Sequence, residues 1–266
     1  MTAEKTETTC PRKKNQQLIH ERCSLHSYGV SVSETKRPNI AIDGPAGAGK
    51  TTIAQLVGHR LGYTHIDSGG MYRAVALMAL EEDLDIPSDT QALCQLSEVL
   101  PIEYRRIPGK GMRIFLEGED RTLDLRRPEV EAVVSIVASV AGVRRALVAK
   151  QRELAVDGGV VMDGRDIGTH VLPDAGVKVF LTAALPVRIE RRLRQKWSNG
   201  AMPTWEEAAQ TVENRDRIDS TRKESPLKPA HDAVIIDSTR LEREDVIRQI
   251  SFMVDSLIHC RRRENR

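Results

Sequence analysis

Asn39-Ile40-Ala41-Ile42-Asp43-Gly44-Pro45-Ala46-Gly47-Ala48-Gly49-Lys50-Thr51-Thr52 decides how this chain is read. It runs from a short apolar strand through a glycine-rich turn into the opening of a helix. Gly44, Gly49, Lys50 and Thr51 stand at the spacing of a phosphate-binding loop. Glycine lets consecutive N–H groups turn inward toward phosphate oxygens. The helix begun at Gly49 adds the positive end of its dipole. Lys50 can reach the β- and γ-phosphates, and Thr51 offers a hydroxyl to a magnesium shell. Ile53, Leu56, Val57 and Leu61 follow at helical spacing, with Gly62 as the expected stop.

Outward from the loop, the chain alternates strands and helices. Tyr63-Thr64-His65-Ile66 and Val160-Val161-Met162-Asp163 read as strands, as do Val177–Leu181 and Ala233–Asp237. Helical periodicity covers 71–80, 143–154 and 241–258, with helix starts expected at Pro87-Ser88-Asp89, Pro128 and Pro186. This pattern predicts an α/β fold, a central parallel sheet flanked by helices, with the loop at the carboxyl end of the first strand. Ile102–Tyr104 and Met112–Leu116 flank a turn at Pro108-Gly109-Lys110-Gly111, a hairpin that interrupts the alternation and marks an insertion.

Composition narrows the function. Of 266 residues, 40% are hydrophobic and 29% charged, which suits one globular domain. A net charge of +2 and 3% aromatics argue against a nucleic-acid partner or base-stacking platforms. No apolar run approaches the ~20 residues that span a bilayer, and no apolar leader opens the chain, so a cytoplasmic protein without a membrane partner is expected. Cys10, Cys23, Cys94 and Cys260 lack metal-ligand spacing and are expected as reduced thiols. Residues 1–36 read as a mobile polar tail. A transit peptide is the alternative, opposed by Glu4, Glu7, Glu21 and Glu34.

Three further clusters carry charge suited to a second ligand. Asp163-Gly164-Arg165-Asp166 leaves an apolar strand: Asp163 can support magnesium, Arg165 can clamp a phosphate, and Asp166 can accept hydrogen bonds. A local Arg165–Asp166 pair is the alternative. Asp67-Ser68-Gly69-Gly70-Met71-Tyr72-Arg73 sets Ser68 and Arg73 across a helix start, fit for a phosphate or merely a serine cap beside a solvated arginine. Arg215, Asp219 and Arg222 share a helical face, either for a charged ligand or as a solvated charge run. His170 is assigned no role.

Taken in this order, the motifs resemble the bacterial cytidylate kinases, of the nucleoside monophosphate kinase family. Gly164-Arg165-Asp166-Ile167-Gly168-Thr169, Pro173-Asp174-Ala175 and Arg215-Asp216-Arg217-Ile218-Asp219, leading to Arg222 and Pro226-Leu227, complete the likeness from about 39 to 258. The resemblance implies ATP-dependent phosphorylation of CMP and dCMP with Mg2+, by a monomer. It implies a kinase domain over 37–266, with a monophosphate-binding insertion over about 68–157 and a lid over about 190–230. ATP would lie along Gly44-Pro45-Ala46-Gly47-Ala48-Gly49-Lys50-Thr51-Thr52. Lys50, Arg73, Arg165 and Arg222 would be catalytic, with lid arginines including Arg191 or Arg192 completing the clamp. Ser68, Arg73 and Arg165 would hold the acceptor phosphate, while Ser135, Arg144 and Asp166 would read cytosine. Arg215 and Asp219 would meet the ribose, Arg222 the phosphates, and Thr51 with Asp163 the metal. Gly70, His170, Trp197 and the tail depart from the family pattern. A kinase for UMP or a metabolite hydroxyl, and a nucleotide-dependent nucleic-acid or regulatory binding module, remain alternatives.

Overall fold

The computed structural model describes residues 36–86, 88–198 and 202–264. The expected tail, apart from Lys36, lies outside the described residues, as do Cys10, Cys23 and Pro87. Cys94 and Cys260 are unpaired.

Five parallel strands form the central sheet in the order β2-β6-β1-β7-β8. They are β1 (Ile40–Asp43), β2 (Thr64–Asp67), β6 (Val160–Gly164), β7 (Val177–Thr182) and β8 (Val234–Asp237). Side chains alternate across a pleated strand, so a sheet covered on both faces needs continuous apolar runs. Ile40 and Ile42 accordingly point into one core layer, and Ala41 into the opposite one. The first layer is closed by α1 (Lys50–Leu61) and the C-terminal α8 (Arg243–Glu264). Within α1, Ile53 and Val57 are buried as expected, but Leu56 is 40% exposed; Ala54 and Gly58 fill the core side instead. Gly62 ends α1 in the left-handed conformation.

Between β2 and β6 the chain builds a second core. It contains α2 (Ser68–Glu81), α3 (Thr90–Val99), α4 (Pro128–Val137) and α5 (Ala141–Leu154). The expected hairpin is β3 (Ile102–Ile107) with β4 (Gly111–Leu116), and a short third strand, β5 (Glu119–Asp120), extends it. Val99, the last residue of α3, is exposed, whereas Leu100, just past the helix, is buried. After β7, α6 (Leu185–Ser198) and α7 (Trp205–Thr221) pack on each other and on Ala46 of the glycine loop. Among the described residues no single helix is long and apolar enough to cross a membrane.

Parallel register aligns the strand ends. Asp67 stands beside Asp163, and Asp43 beside Gly164. Strands β1, β2 and β6 thus carry Asp43, Asp67 and Asp163 at their carboxyl ends, where the glycine loop also emerges.

Candidate active site

The loop leaves β1 in close contact with β7. At Gly44 a Cβ would lie 2.0 Å from the Leu181 carbonyl oxygen, so only glycine allows this path. Gly49, at φ 90°, caps α1, which begins at Lys50 rather than at Gly49 itself. Ala46 through Thr52 line an open cleft of about 940 Å³, and Gly44 and Pro45 are not part of its lining. Lys50 is buried, and its ammonium donates to the Pro45 carbonyl at 2.8 Å. Burial, and next the nearby Arg165, push its pKa well below the usual lysine range.

Thr51 donates its hydroxyl to Asp163 Oδ2 at 2.7 Å. The other carboxylate oxygen lies 2.7 Å from His65 Nε2, and Ser68 donates to the Asp163 carbonyl at 2.7 Å. A hydroxyl and a carboxylate together at the loop suit a hard cation that keeps water and phosphate oxygens as further ligands. Among the described residues no three His, Cys, Asp or Glu converge on a metal-sized site.

Across the cleft lies a cluster of arginines and carboxylates. Arg165 donates from Nε to Asp219 Oδ2 at 2.7 Å, so the local Arg165–Asp166 pair does not form. Burial works against the charge on both, yet each prevails: Arg165 is raised and Asp219 lowered by their mutual attraction. Asp166 instead bonds Arg144, deep in the second core, and lies 3.3 Å from Arg222. The Arg144 guanidinium also rests over the Tyr72 ring, 5.6 Å from its centroid. Arg222 is not within the body of α7 but caps it in extended conformation, turning back toward Asp166 and Asp219. With Asp219 7% exposed, this face is not a solvated charge run.

Arg73 pairs with Asp67 at 2.5 Å. Asp67, not Ser68, caps α2, accepting from the Gly70 N–H at 3.1 Å. Hence the reading of a serine cap beside a free arginine does not hold. Burial opposes the charge of Asp67, but Arg73 outweighs it and keeps the carboxyl below its usual range. The Nε atoms of Arg73 and Arg215 are buried without hydrogen-bond partners among the described residues. Burial and neighbouring Arg165 lower Arg215 to about 10. Two orphaned guanidinium donors on one cleft are costly unless an anion meets them. Ser135, on α4, lines the same cleft with Arg144. Arg191 donates to the Ala48 carbonyl at 3.2 Å, whereas Arg192 pairs with Glu131 at 2.6 Å. His170 is exposed.

Residues 40–256 match the sequence profile described as cytidylate kinase. The chain belongs to the cytidylate kinase family. The match begins with the first residue of β1 and ends within α8. The cytidylate kinase of Pelotomaculum thermopropionicum is 47% identical over 213 residues, 80% of this chain and 94% of that protein. That of Bacillus cereus (strain ATCC 10987 / NRS 248) is 45% identical over 222 residues, 84% of this chain and 98% of that protein. A solved shikimate kinase from Acinetobacter baumannii superposes at a TM-score of 0.43 with 20% identity, covering 84% of this chain and 95% of that one.

In this cytidylate kinase family member, several side chains that hold the site escaped the motif reading. His65 braces Asp163, and Asp43 accepts from the Ile167 and Gly168 N–H groups at 2.8 and 2.7 Å, anchoring the turn after Arg165 and Asp166. That turn, Ile167–Val171, is a short π-helix with no periodic signature. The available signal was the repeated apolar strand closed by aspartate, at Asp43, Asp67 and Asp163.

Proposed function

We propose that this chain transfers the γ-phosphoryl group of ATP to CMP or dCMP, releasing ADP and CDP or dCDP. The observation that carries the reading is the buried Arg144–Asp166–Arg222 network, which faces the same cleft as the glycine loop. Cytosine presents an amino donor beside two acceptors. Asp166 accepts from the amino group, and Arg144 and Ser135 donate to the acceptors. Uracil turns a carbonyl toward the carboxylate, and a site built to hydrogen-bond a group strongly rejects an analogue lacking it.

The chemistry is positioning and charge neutralisation. The loop N–H groups from Ala46 to Thr52 and the Lys50 ammonium cradle the donor phosphates. Ser68, Arg73 and Arg165 orient the acceptor phosphate oxygen, and the unpartnered Nε atoms of Arg73 and Arg215 are donors free to meet an anion. Arg215 and Asp219 contact the ribose, and Arg222 spans from the base site to the phosphates. Thr51 and Asp163 would hold Mg2+, which supplies charge neutralisation at the phosphates when bound. Residues about 68–157 form the monophosphate-binding insertion and about 190–230 the lid, whose arginines exclude water on closure. The enzyme acts as a cytoplasmic monomer on free nucleotides, engaging neither nucleic acid nor membrane; a net charge of +2 argues against the nucleic-acid partner.

The test is ADP release with CMP, dCMP, UMP, AMP and shikimate in parallel. CMP and dCMP should be turned over fastest. Turnover of AMP well above CMP would sink the assignment.

A further inference from the structure

Asp216 sits inside the Arg215-Asp216-Arg217 run, yet the roles above leave it unused. It follows Arg215 on α7 and precedes Asp219 by less than a turn. Its carboxylate reaches the glycine loop. Oδ1 accepts from the Ala46 N–H at 2.9 Å, and Oδ2 accepts from Arg188 Nη1 at 2.5 Å. The same Arg188 nitrogen donates to the Ala46 carbonyl at 3.0 Å, and its Nε donates to the Ala183 carbonyl at 3.0 Å. Both backbone polar groups of one loop residue are therefore held by an acid–base pair from α6 and α7.

The contact is tight. Arg188 is 9% exposed, and a Cβ on Gly47 would lie 2.5 Å from the Arg188 carbonyl oxygen. Ala46 packs with Ile189 and Leu193 of α6 and with Ala208 and Val212 of α7. A bare carboxylate on this loop would repel the phosphates the loop holds. Arg188 neutralises it, so the clamp grips without adding net charge.

We infer that Asp216 is a positioning residue for phosphoryl transfer. Through Ala46 and Arg188 it locks α7, and with it Arg215 and Asp219, in register with the donor loop. It acts through those residues and touches neither substrate. The inference rests on the reading of α7 as the acceptor side of a CMP kinase. Its effect falls on alignment of the two phosphates more than on binding of either, because α7 keeps its own ligand groups when the clamp is cut.

The experiment uses the full chain with Asp216→Ala and Asp216→Asn, measuring ADP release and CDP formation separately, with melting temperature alongside. Asp216→Ala should lower kcat for CDP about 100-fold while the KM for CMP moves less than about threefold. ADP released per CDP formed should rise above one, because ATP remains held while its acceptor is misaligned and water takes the γ-phosphoryl group instead, giving inorganic phosphate. Asp216→Asn keeps an oxygen for the Ala46 N–H and loses only the charge pair, so it should fall between wild type and Ala. It also carries the test if the Ala variant does not fold. Variants that melt earlier but keep kcat and a one-to-one product ratio would overturn the inference, as would a rise in KM alone. Wild-type chain that makes no CDP but phosphorylates another acceptor would refute the CMP reading. The ratio of ADP to that other product would still decide the role of Asp216.

Discussion

Thr51 and Asp163 stand 112 residues apart in sequence and share a hydrogen bond of 2.7 Å at the mouth of the glycine loop. The first lies in the opening turn of α1 and the second is the penultimate residue of β6, and β1 and β6 are neighbours in the sheet. Thr51→Ala removes one of the two side-chain donors on this carboxylate and leaves His65 in place. The Mg2+ concentration for half-maximal rate should rise about tenfold or more, with ATP and CMP saturating. A magnesium titration unchanged from wild type would remove this pair from the metal shell.

Lys50→Ala tests the loop itself. Among the described residues its buried ammonium has one hydrogen-bond partner, the Pro45 carbonyl, and lies near further positive charge from Arg165. The substitution should lower kcat by about 100- to 1,000-fold, the scale of losing one donor to developing charge. The melting temperature should change little, since a desolvated charge is removed with it. Activity near wild type would mean that the loop is not the catalytic centre.

Asp166→Asn tests base discrimination. The carboxylate is buried between Arg144 and Arg222. An amide there can donate as well as accept, so it tolerates the uracil carbonyl. The ratio of kcat/KM for CMP over UMP should fall about 100-fold, chiefly through loss on CMP. A ratio that stayed at the wild-type value would show that cytosine is read elsewhere.

Asp43 predicts a pH dependence. Burial lifts its carboxyl from 3.8 to about 6, although the Gly168 and Ile167 N–H groups pull it down. Between those values the folded chain binds a proton that the unfolded chain does not. Its contribution to stability therefore grows as pH falls through that window and is lost as pH rises through about 6, by up to roughly 3 kcal/mol. Activity runs the other way. A protonated carboxyl offers one of these N–H groups only a weaker hydroxyl acceptor, so the turn that carries Arg165 and Asp166 loosens. Across about pH 5 to about pH 8, kcat should drop on the acid side with an apparent pKa near 6, and Asp43→Asn should lose that limb and run at a lower plateau. An identical acid limb in both proteins would exclude Asp43 as its source.

Much of the architecture could be read from local signals. The apolar tetrapeptide Ile40–Asp43, the glycine spacing after it and the stop at Gly62 are properties of neighbouring residues. They specify strand, turn and helix without reference to the rest of the chain. The βα alternation carried the sheet class for the same reason, and the three charged clusters drew attention because carboxylates and arginines rarely sit beside buried strands without a ligand. Finer burial was harder to read. Leu56 kept the helical period yet lies outside the core, because the layer that would cover it is decided by how whole elements pack.

Partner choice among charges belonged to the tertiary structure alone. Sequence proximity offered Arg165 to Asp166, but the sheet and α7 bring Asp219 closer, and Asp166 turns to Arg144. His65 meets Asp163 because β2 and β6 are paired in register, and Asp216 meets Ala46 because α7 folds back over the loop. The glycine loop announced by residues 44–52 was thus legible in its own stretch as a holder of phosphates. What stands opposite it depends on contacts between residues far apart in the chain. Burying both faces of the sheet brings those residues together, and no local pattern encodes that.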